Sequence, residues 1–383
     1  MSPSPLGRPA LVPGGPTEAD RADHVLVDGA PRERTVLLCS HWPGGDPPAA
    51  LRRDTSTEMA LAVLATPGLV PPTTRLAALD HLDEDGLAAL YVLCRPDEAA
   101  PRASCLAGLA RLGDFDVVEE GGPGDGARVG WALRRLLDPA RSPLAGIAGI
   151  ERPRLATALL EGLLATLDRL LAEPATAAAL AEPEEAAAAL ASAALAGGAV
   201  LVEERPQAHL AVVRVDPAVP PGAAGTLGQG RLNLPVHPAA LHAATAAVRI
   251  LVVHGGRCTY YDRYETWVAY ASRPLPARRD LTMLAARLDE RERCAGAWRA
   301  TPASAPVAVL EPAPGRASRL APDEVVEALV AHLGAAPPAW LPGAPAPAGP
   351  SGAGARRSAA PTAGTSGRAP ARWRGRRPAA PSA

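Results

Sequence analysis

The first third of the chain alternates short apolar runs with longer segments of helical character, and this alternation constrains the fold more than any other feature. The predicted strands are residues 25–27, 35–39 and 75–79, and the predicted helices start at Thr55 or cover 87–94 and 98–112. Thr55 and Glu58 have the spacing of a capping box. A strand–helix–strand order predicts a right-handed βαβ unit with parallel strands.

The hydrophobic period changes twice farther along the chain. Leucines three and four residues apart predict helices across the middle, and an alternating pattern after it predicts antiparallel strands. The fold class is therefore α/β or α+β, with a parallel N-terminal βαβ part, a helical middle and an antiparallel C-terminal part. The predicted division is a disordered leader (1–22), an α/β part with the candidate site (23–150), a helical segment (151–198), an α+β part (199–335) and a disordered Pro/Ala/Arg tail (336–383).

Charge is distributed unevenly along the 383 residues. The net charge is −1, but no acidic residue follows Glu327, and the tail carries seven arginines, so by subtraction the rest carries −8. An acidic body argues against general nucleic-acid binding. For the tail, the sequence leaves two interpretations open: binding to RNA or another anionic surface, or a solvated low-complexity extension. The chain has no lysine, which is typical of a GC-rich genome, so its arginines as a class indicate no function.

No segment of the sequence suggests export or a membrane span. The first twenty residues are rich in Pro and Gly and contain no apolar stretch of the signal-peptide kind. No run approaches the roughly twenty apolar residues that cross a bilayer. Five widely spaced cysteines without a Cys-x-x-Cys pair argue against a zinc ribbon. We therefore expect a cytoplasmic protein that does not contact membranes.

His81, Asp83 and Asp85 are the residues that most suggest chemistry, because they alternate between a predicted strand and a predicted helix and precede Gly86. Carboxylate oxygens bind Mg²⁺ and Mn²⁺, and imidazole suits Mn²⁺ as well. An EF-hand is excluded, since Val92 stands where the bidentate glutamate of that loop belongs. The motif predicts a Mn²⁺ or Mg²⁺ site.

A purely structural interpretation of the same motif stays open. Acidic residues at the start of a helix accept free N–H groups and complement the helix dipole, so Asp83 and Asp85 could be caps. The position of His41 after another predicted parallel strand favours a functional role, and a solvent-facing His41 beside a loop-packing Trp42 is the alternative. Turns after parallel strands lie at one sheet edge, where α/β proteins bind ligands, and His41 is a candidate acid/base there.

The segment His81-x-Asp83-x-Asp85-Gly86 resembles the opening motif of the DHH-type phosphoesterases. The resemblance implies two Mn²⁺ or Mg²⁺ ions that hold a hydroxide for attack on a phosphoester. Asp114 could then stand where that family has a further ligand carboxylate. The chain lacks the Asp-His-His triplet that defines the family.

A longer resemblance joins six segments that occur in order along the chain. They are Ser40-His-Trp-Pro-Gly, Asp54-x-Ser-Thr-Glu58, His81 to Leu87, Gly113-Asp-Phe115, His237-Pro-Ala-Ala-Leu-His242-x-x-Thr245 and Arg263-Tyr-Glu-Thr-Trp-Val268. Together they resemble an uncharacterised bacterial family from GC-rich genomes, over about residues 23–335. That family brings no established activity with it, so the resemblance implies one architectural unit.

Two other groups of residues have simpler explanations. His237 and His242 are five residues apart and do not share a helical face, so we expect His237 to cap the helix that begins at Pro238. Four tyrosines and Trp267 crowd residues 260–270, where a predicted strand at 265–270 would complete a meander. Cross-strand packing is the favoured role of these rings, and a ligand platform is the alternative.

The sequence as a whole favours a divalent-metal-dependent hydrolase of a small phosphorylated or nucleotide substrate. His81, Asp83, Asp85 and Asp114 would hold the metal in this hypothesis. The alternative is a non-catalytic module that binds a small ligand or a protein, in which the acidic turn only caps a helix.

Overall fold

Four parallel strands form the N-terminal sheet of the computed structural model, which describes residues 10–119, 121–138, 156–228 and 232–345. They are β1 (Val12–Gly14), β2 (His24–Val27), β3 (Thr35–Cys39) and β4 (Leu76–Leu79), in the order β1-β4-β2-β3. Every residue of β2 and β4 is buried, as expected for strands covered on both faces. The predicted parallel pairing is confirmed, but β2 lies between β3 and β4.

The prediction that residues 1–22 are disordered is wrong for the second half of that segment. Strand β1 pairs in parallel with β4, and a short helix, α1 (Pro16–Ala19), follows it. Three residues are too few for a hydrophobic period, so only the neighbouring strand reveals that β1 forms. Residues 1–9 of the predicted leader lie outside the described residues.

Helices cover the parallel sheet and share its apolar core. They are α2 (Ser56–Ala65), α3 (Glu84–Cys94), α4 (Pro96–Ala99), α5 (Ala103–Phe115), α6 (Asp125–Leu137) and α7 (Thr157–Ala172). Every residue of α3 is buried, which makes it the central helix of this part. The predicted helical middle is confirmed by α7 and α8 (Pro174–Ala196), while residues 151–155 lie outside the described part of the chain.

A second sheet of six strands forms the C-terminal part. Its strands are β5 (Val200–Arg205), β6 (Leu210–Val215), β9 (Arg249–His254), β10 (Arg257–Asp262), β12 (Trp298–Ala300) and β13 (Ala308–Pro312), in the order β12-β13-β10-β9-β6-β5. All neighbours are antiparallel except β6 and β9. Two short strands, β7 (Gly225–Leu227) and β8 (Leu232–Leu234), form a separate pair.

The two faces of this sheet bury alternate residues, as the period of two requires. One face packs against α10 (Thr282–Glu292) and α11 (Pro322–Ala335). The other packs against α8 and α9 (Pro238–Ala244). The predicted strand at 265–270 is wrong, because the chain turns in a short 3₁₀ helix at Tyr264–Thr266, where backbone N–H groups bond three residues back.

The prediction of disorder is also wrong for the first residues of the tail. Strand β14 (Pro338–Trp340) pairs with β11 (Arg278–Arg279), and the Trp340 indole donates to the Trp267 carbonyl at 3.2 Å. Residues 346–383 lie outside the described part. In the part that is described, no helix is both long enough and apolar enough to pass through a membrane.

Gly343 provides a test of how firmly the segment after β14 is docked. Its φ of 71° is unfavourable for other residues, and an added Cβ would lie 2.7 Å from the Ala269 Cβ. We expect Gly343→Ala to lower the free energy of unfolding by about 1–3 kcal/mol, measured by urea denaturation.

Gly334 is the matched control, since a Cβ there meets none of the described atoms within 4 Å. Gly334→Ala lies in α11 and should raise the free energy of unfolding by about 0.5–1 kcal/mol. If Gly343→Ala unfolds at the same urea concentration as the wild type, the segment is not docked as described.

Candidate metal centre

The carboxyl ends of the parallel strands bring the candidate residues to one edge of the sheet. β3 leads into His41 and β4 leads into His81 and Asp83, as the order of elements predicted. β2 leads into Asp28, which is 1% exposed and has a φ of 45°. Asp28 was not predicted as a site residue, because a single aspartate after β2 lacks the alternation of His81, Asp83 and Asp85; its position directly after a buried strand was the available signal.

His81 lies between two carboxylates. Its Nε2 is 2.5 Å from Asp83 Oδ2 and 3.2 Å from Asp28 Oδ2. Its Nδ1 is 3.2 Å from the Asp28 carbonyl oxygen, which can only accept, so Nδ1 carries a proton. Histidines that bind metals commonly donate their other N–H to a carbonyl in this way. Nε2 is therefore the ring nitrogen that can bind a second proton or a metal ion.

His41 has the same arrangement and is completely buried. Its Nδ1 donates to the Asp54 carbonyl, which directs Nε2 toward Asp114 Oδ2 at 3.4 Å and Asp28 Oδ1 at 3.8 Å. His41 Nε2, Asp114 Oδ2 and Asp28 Oδ2 are all buried and have no hydrogen-bond partner among the described residues. Buried polar atoms without hydrogen-bond partners are rare and costly, and a bound cation or shared protons would satisfy these three.

Asp85 contributes differently from the cap that its sequence suggested. Its carboxylate accepts the N–H groups of Ser56 at 2.7 Å and Thr57 at 2.9 Å, which begin α2 rather than its own helix. Asp83 does cap α3, since its Oδ1 accepts the Gly86 N–H at 2.8 Å, and its Oδ2 remains directed at His81. Capping and metal binding are therefore compatible for Asp83.

Gly86 is required because there is no room for a side chain at this position, not because the backbone turns there. It lies in the first turn of α3, and an added Cβ would be 2.7 Å from the Leu79 side chain and 3.2 Å from Asp28 Oδ2. Helix α3 can therefore begin close to the end of β4, which keeps Asp83 and Asp28 together.

The aspartates affect one another's protonation. Burial raises the pKa of Asp28 well above its usual value, and Asp83 raises it further. Burial likewise raises the pKa of Asp114, with added repulsion from Asp85 and Asp28. Burial opposes the charged form of His81, but Asp83 and Asp28 outweigh it and raise its pKa to about 10. Without a metal ion, protons would have to neutralise this cluster.

The donor atoms form two groups that fit a divalent cation. One is Asp28, His81 and Asp83; the other is Asp28, His41 and Asp85. Within each group, one ligand atom per residue lies within 4.8 Å of the others, and Asp28 belongs to both. Carboxylate oxygens with one imidazole suit Mn²⁺ and, less well, Mg²⁺. All five residues singled out from the sequence, His41, His81, Asp83, Asp85 and Asp114, lie around Asp28.

The other two histidines of interest have structural roles. His237 caps α9, as predicted, by accepting the Ala239 N–H at 3.2 Å. His242 donates from Nδ1 to the Phe115 carbonyl at 2.8 Å, and its Nε2 lies 3.0 Å from the Tyr261 hydroxyl.

A cleft that opens to solvent borders the candidate metal ligands around Asp28, here called the metal-ligand cluster. His81, Asp83 and Asp114 line it together with four rings: Trp42, Phe115, Tyr264 and Trp267. The loop that carries Tyr264 and Trp267 is held by Asp54, whose carboxylate accepts the N–H groups of Ala271 and Ser272 at 2.8 Å. The same residue's carbonyl accepts from His41, so one aspartate joins the loop to the cluster.

The burial of His242 predicts a measurable loss of stability in acid. Burial, together with nearby Arg263, lowers its pKa well below 6.5, so the unfolded chain takes up a proton that the folded chain refuses. Below pH 6.5 this costs the wild type about 1.4 kcal/mol per pH unit until the folded pKa is reached.

His242→Asn keeps a donor for the Phe115 carbonyl and removes the titrating ring. We expect urea denaturation between pH 7 and pH 5 to show a shallower fall in stability for the variant than for the wild type. Parallel curves would contradict the assigned cause.

Comparison with known proteins identifies the family but brings no activity with it. No curated protein matches the chain, and no solved structure matches it. The resemblance to DHH-type phosphoesterases therefore gains no support from these comparisons. A family model described as a family of unknown function, DUF6687, matches residues 12–344, which extends the 23–335 resemblance at both ends. The chain belongs to this family.

Proposed function

We propose that the protein is a divalent-metal-dependent hydrolase of a small phosphorylated or nucleotide substrate, with Mn²⁺ or Mg²⁺ held around Asp28. The observation that carries the proposal is the buried cluster around Asp28. His41 Nε2, Asp114 Oδ2 and Asp28 Oδ2 form no hydrogen bond among the described residues, although acid and imidazole atoms lie only 3.2–3.8 Å apart. Buried charges in proteins are paired or bind metals.

The ligand assignment follows from the distances. His81, Asp83 and Asp28 would hold an ion at the cleft, where their ligand atoms are closest. His41 and one oxygen of Asp85 would form a second, more deeply buried group of ligands with Asp28. Asp114 would add a carboxylate beside His41. His41 is fully buried, which supports a ligand role rather than the acid/base role suggested by its sequence position.

A bound divalent ion would lower the pKa of a coordinated water and polarise a phosphoryl oxygen. The protein's own contribution is to hold the ligands. The Asp28 and Asp54 carbonyls fix the protonated nitrogen of each histidine, and Trp42 and Ser56 donate to Asp28 Oδ1 at 3.0 Å. These contacts orient Asp28 before any ion binds, which supports a preorganised site.

The metal hypothesis is tested by titrating Mn²⁺ into the full-length protein by calorimetry. Asp28→Asn keeps the shape and an acceptor at Oδ1, but it places an amide where a ligand oxygen should be. We expect it to weaken Mn²⁺ binding at least about 100-fold, since changes outside the ligands alone cost about 10–100-fold. Mn²⁺ at 100 times its Kd should stabilise the wild type by about 2.7 kcal/mol.

Asp262→Asn is the matched control. Asp262 is also a buried aspartate, but it contacts Tyr260 and Arg249 rather than the cluster. It should leave Mn²⁺ affinity unchanged even if it lowers the melting temperature. Asp85→Asn is less informative, because its amide would face the N–H groups that begin α2. A folded wild type that binds neither Mn²⁺ nor Mg²⁺ at millimolar concentration would favour the non-catalytic binding module instead.

The cytoplasmic location and the absence of nucleic-acid binding by the body stay predictions from sequence.

A further inference from the structure

The aromatic cleft indicates which part of the substrate the protein recognises, and this inference rests on the proposed function. Trp42 and Trp267 lie with ring centroids 5.4 Å apart, and Tyr264 lies 5.5 Å from Trp267. Trp42 also lies 4.8 Å from the ring of His81. The three rings therefore form a wall along the cleft. It adjoins the metal-ligand cluster at Trp42, beside His81, and again at Tyr264, whose ring lies 6.0 Å from that of His41.

The polar atoms of the two tryptophans are already used. The Trp42 indole donates to Asp28 Oδ1 at 3.0 Å, and the Trp267 indole donates to the Ser304 carbonyl at 2.9 Å. Both residues are only half-buried. What these residues offer a ligand is ring surface, which suits stacking against another planar ring.

The backbone around the wall holds it in place without a ligand. The Trp267 carbonyl accepts from the Trp340 indole and from the Gly343 N–H at 3.1 Å, and Asp54 anchors the far end of the same loop. Because this aromatic surface is already held at both ends, little conformational entropy is lost when a ligand binds to it.

The charge on the cleft limits the ligand further. Asp83 and Asp114 line it, and the cluster behind them contains two more buried aspartates. The proposed ions would neutralise one phosphoryl group, but these carboxylates would repel each further negative charge on the ligand.

We propose that the substrate is a monophosphate ester of a planar aromatic or heteroaromatic group, whose ring stacks on the Trp267 ring of this wall. Esters without a ring and ligands with several phosphoryl groups are poorer ligands in this assignment.

Phenylphosphonate and methylphosphonate test the ring, because they share the phosphonate group and differ only in the phenyl substituent. Full-length protein loaded with Mn²⁺ is titrated with each, and titrations without protein correct for chelation of Mn²⁺. We expect phenylphosphonate to bind at least about fivefold more tightly, the low end for stacking on an aromatic side chain. Methylenediphosphonate should bind less tightly than phenylphosphonate despite its greater charge.

Trp267→Leu should abolish the preference for the phenyl compound, while Trp267→Phe should retain it. Neither variant should change the affinity for Mn²⁺ alone, since Trp267 contacts none of the proposed ligands. Equal affinity of the wild type for the two phosphonates overturns the inference and leaves the metal centre standing. A wild type that binds neither Mn²⁺ nor Mg²⁺ overturns the proposed function and the inference together.

Discussion

The two hydrogen bonds that the first N–H groups of α2 donate to the Asp85 carboxylate are the interaction on which the site depends. They tie the turn after β4 to the start of a helix that is almost thirty residues earlier in the sequence. Ser56, the first residue of that helix, also donates to Asp28. Residue 54 lies just before it and holds His41 through its carbonyl. One buried carboxylate therefore positions three strand ends relative to one another.

The same network reaches the C-terminal part of the molecule. The Asp54 carboxylate binds the backbone of Ala271 and Ser272, and the His41 carbonyl accepts the Ala269 N–H at 2.8 Å. These bonds fix the loop that brings Trp267 to the cleft. Charged acceptors with several N–H donors give strong hydrogen bonds, which suits a contact that must align two parts of a fold.

Burial of several aspartates around one point has a physical cost that the structure must offset. The pKa of Asp28 and of Asp114 is raised by burial and by neighbouring acids, so without a metal ion the cluster holds protons. A divalent ion would displace those protons and match the donor set. Affinity for metal would then depend on pH through the carboxylates that bind it. If the proposed ion binds the folded protein, it should stabilise that state by mass action.

Sequence alone determined the elements whose signal is local. Apolar runs and period identified β3, β4, the hairpin of β5 and β6 and the helical middle, and the parallel order placed His41 and His81 at one sheet edge. Tertiary structure alone decided the rest. It placed β2 between β3 and β4, which brought Asp28 into the site, and directed Asp85 to another helix. It also docked residues 338–343 and turned the predicted strand at 265–270 into a loop. Each of these outcomes depends on partners far apart in sequence, and hydrophobic period carries no information about which distant backbone groups a carboxylate or a short strand will meet.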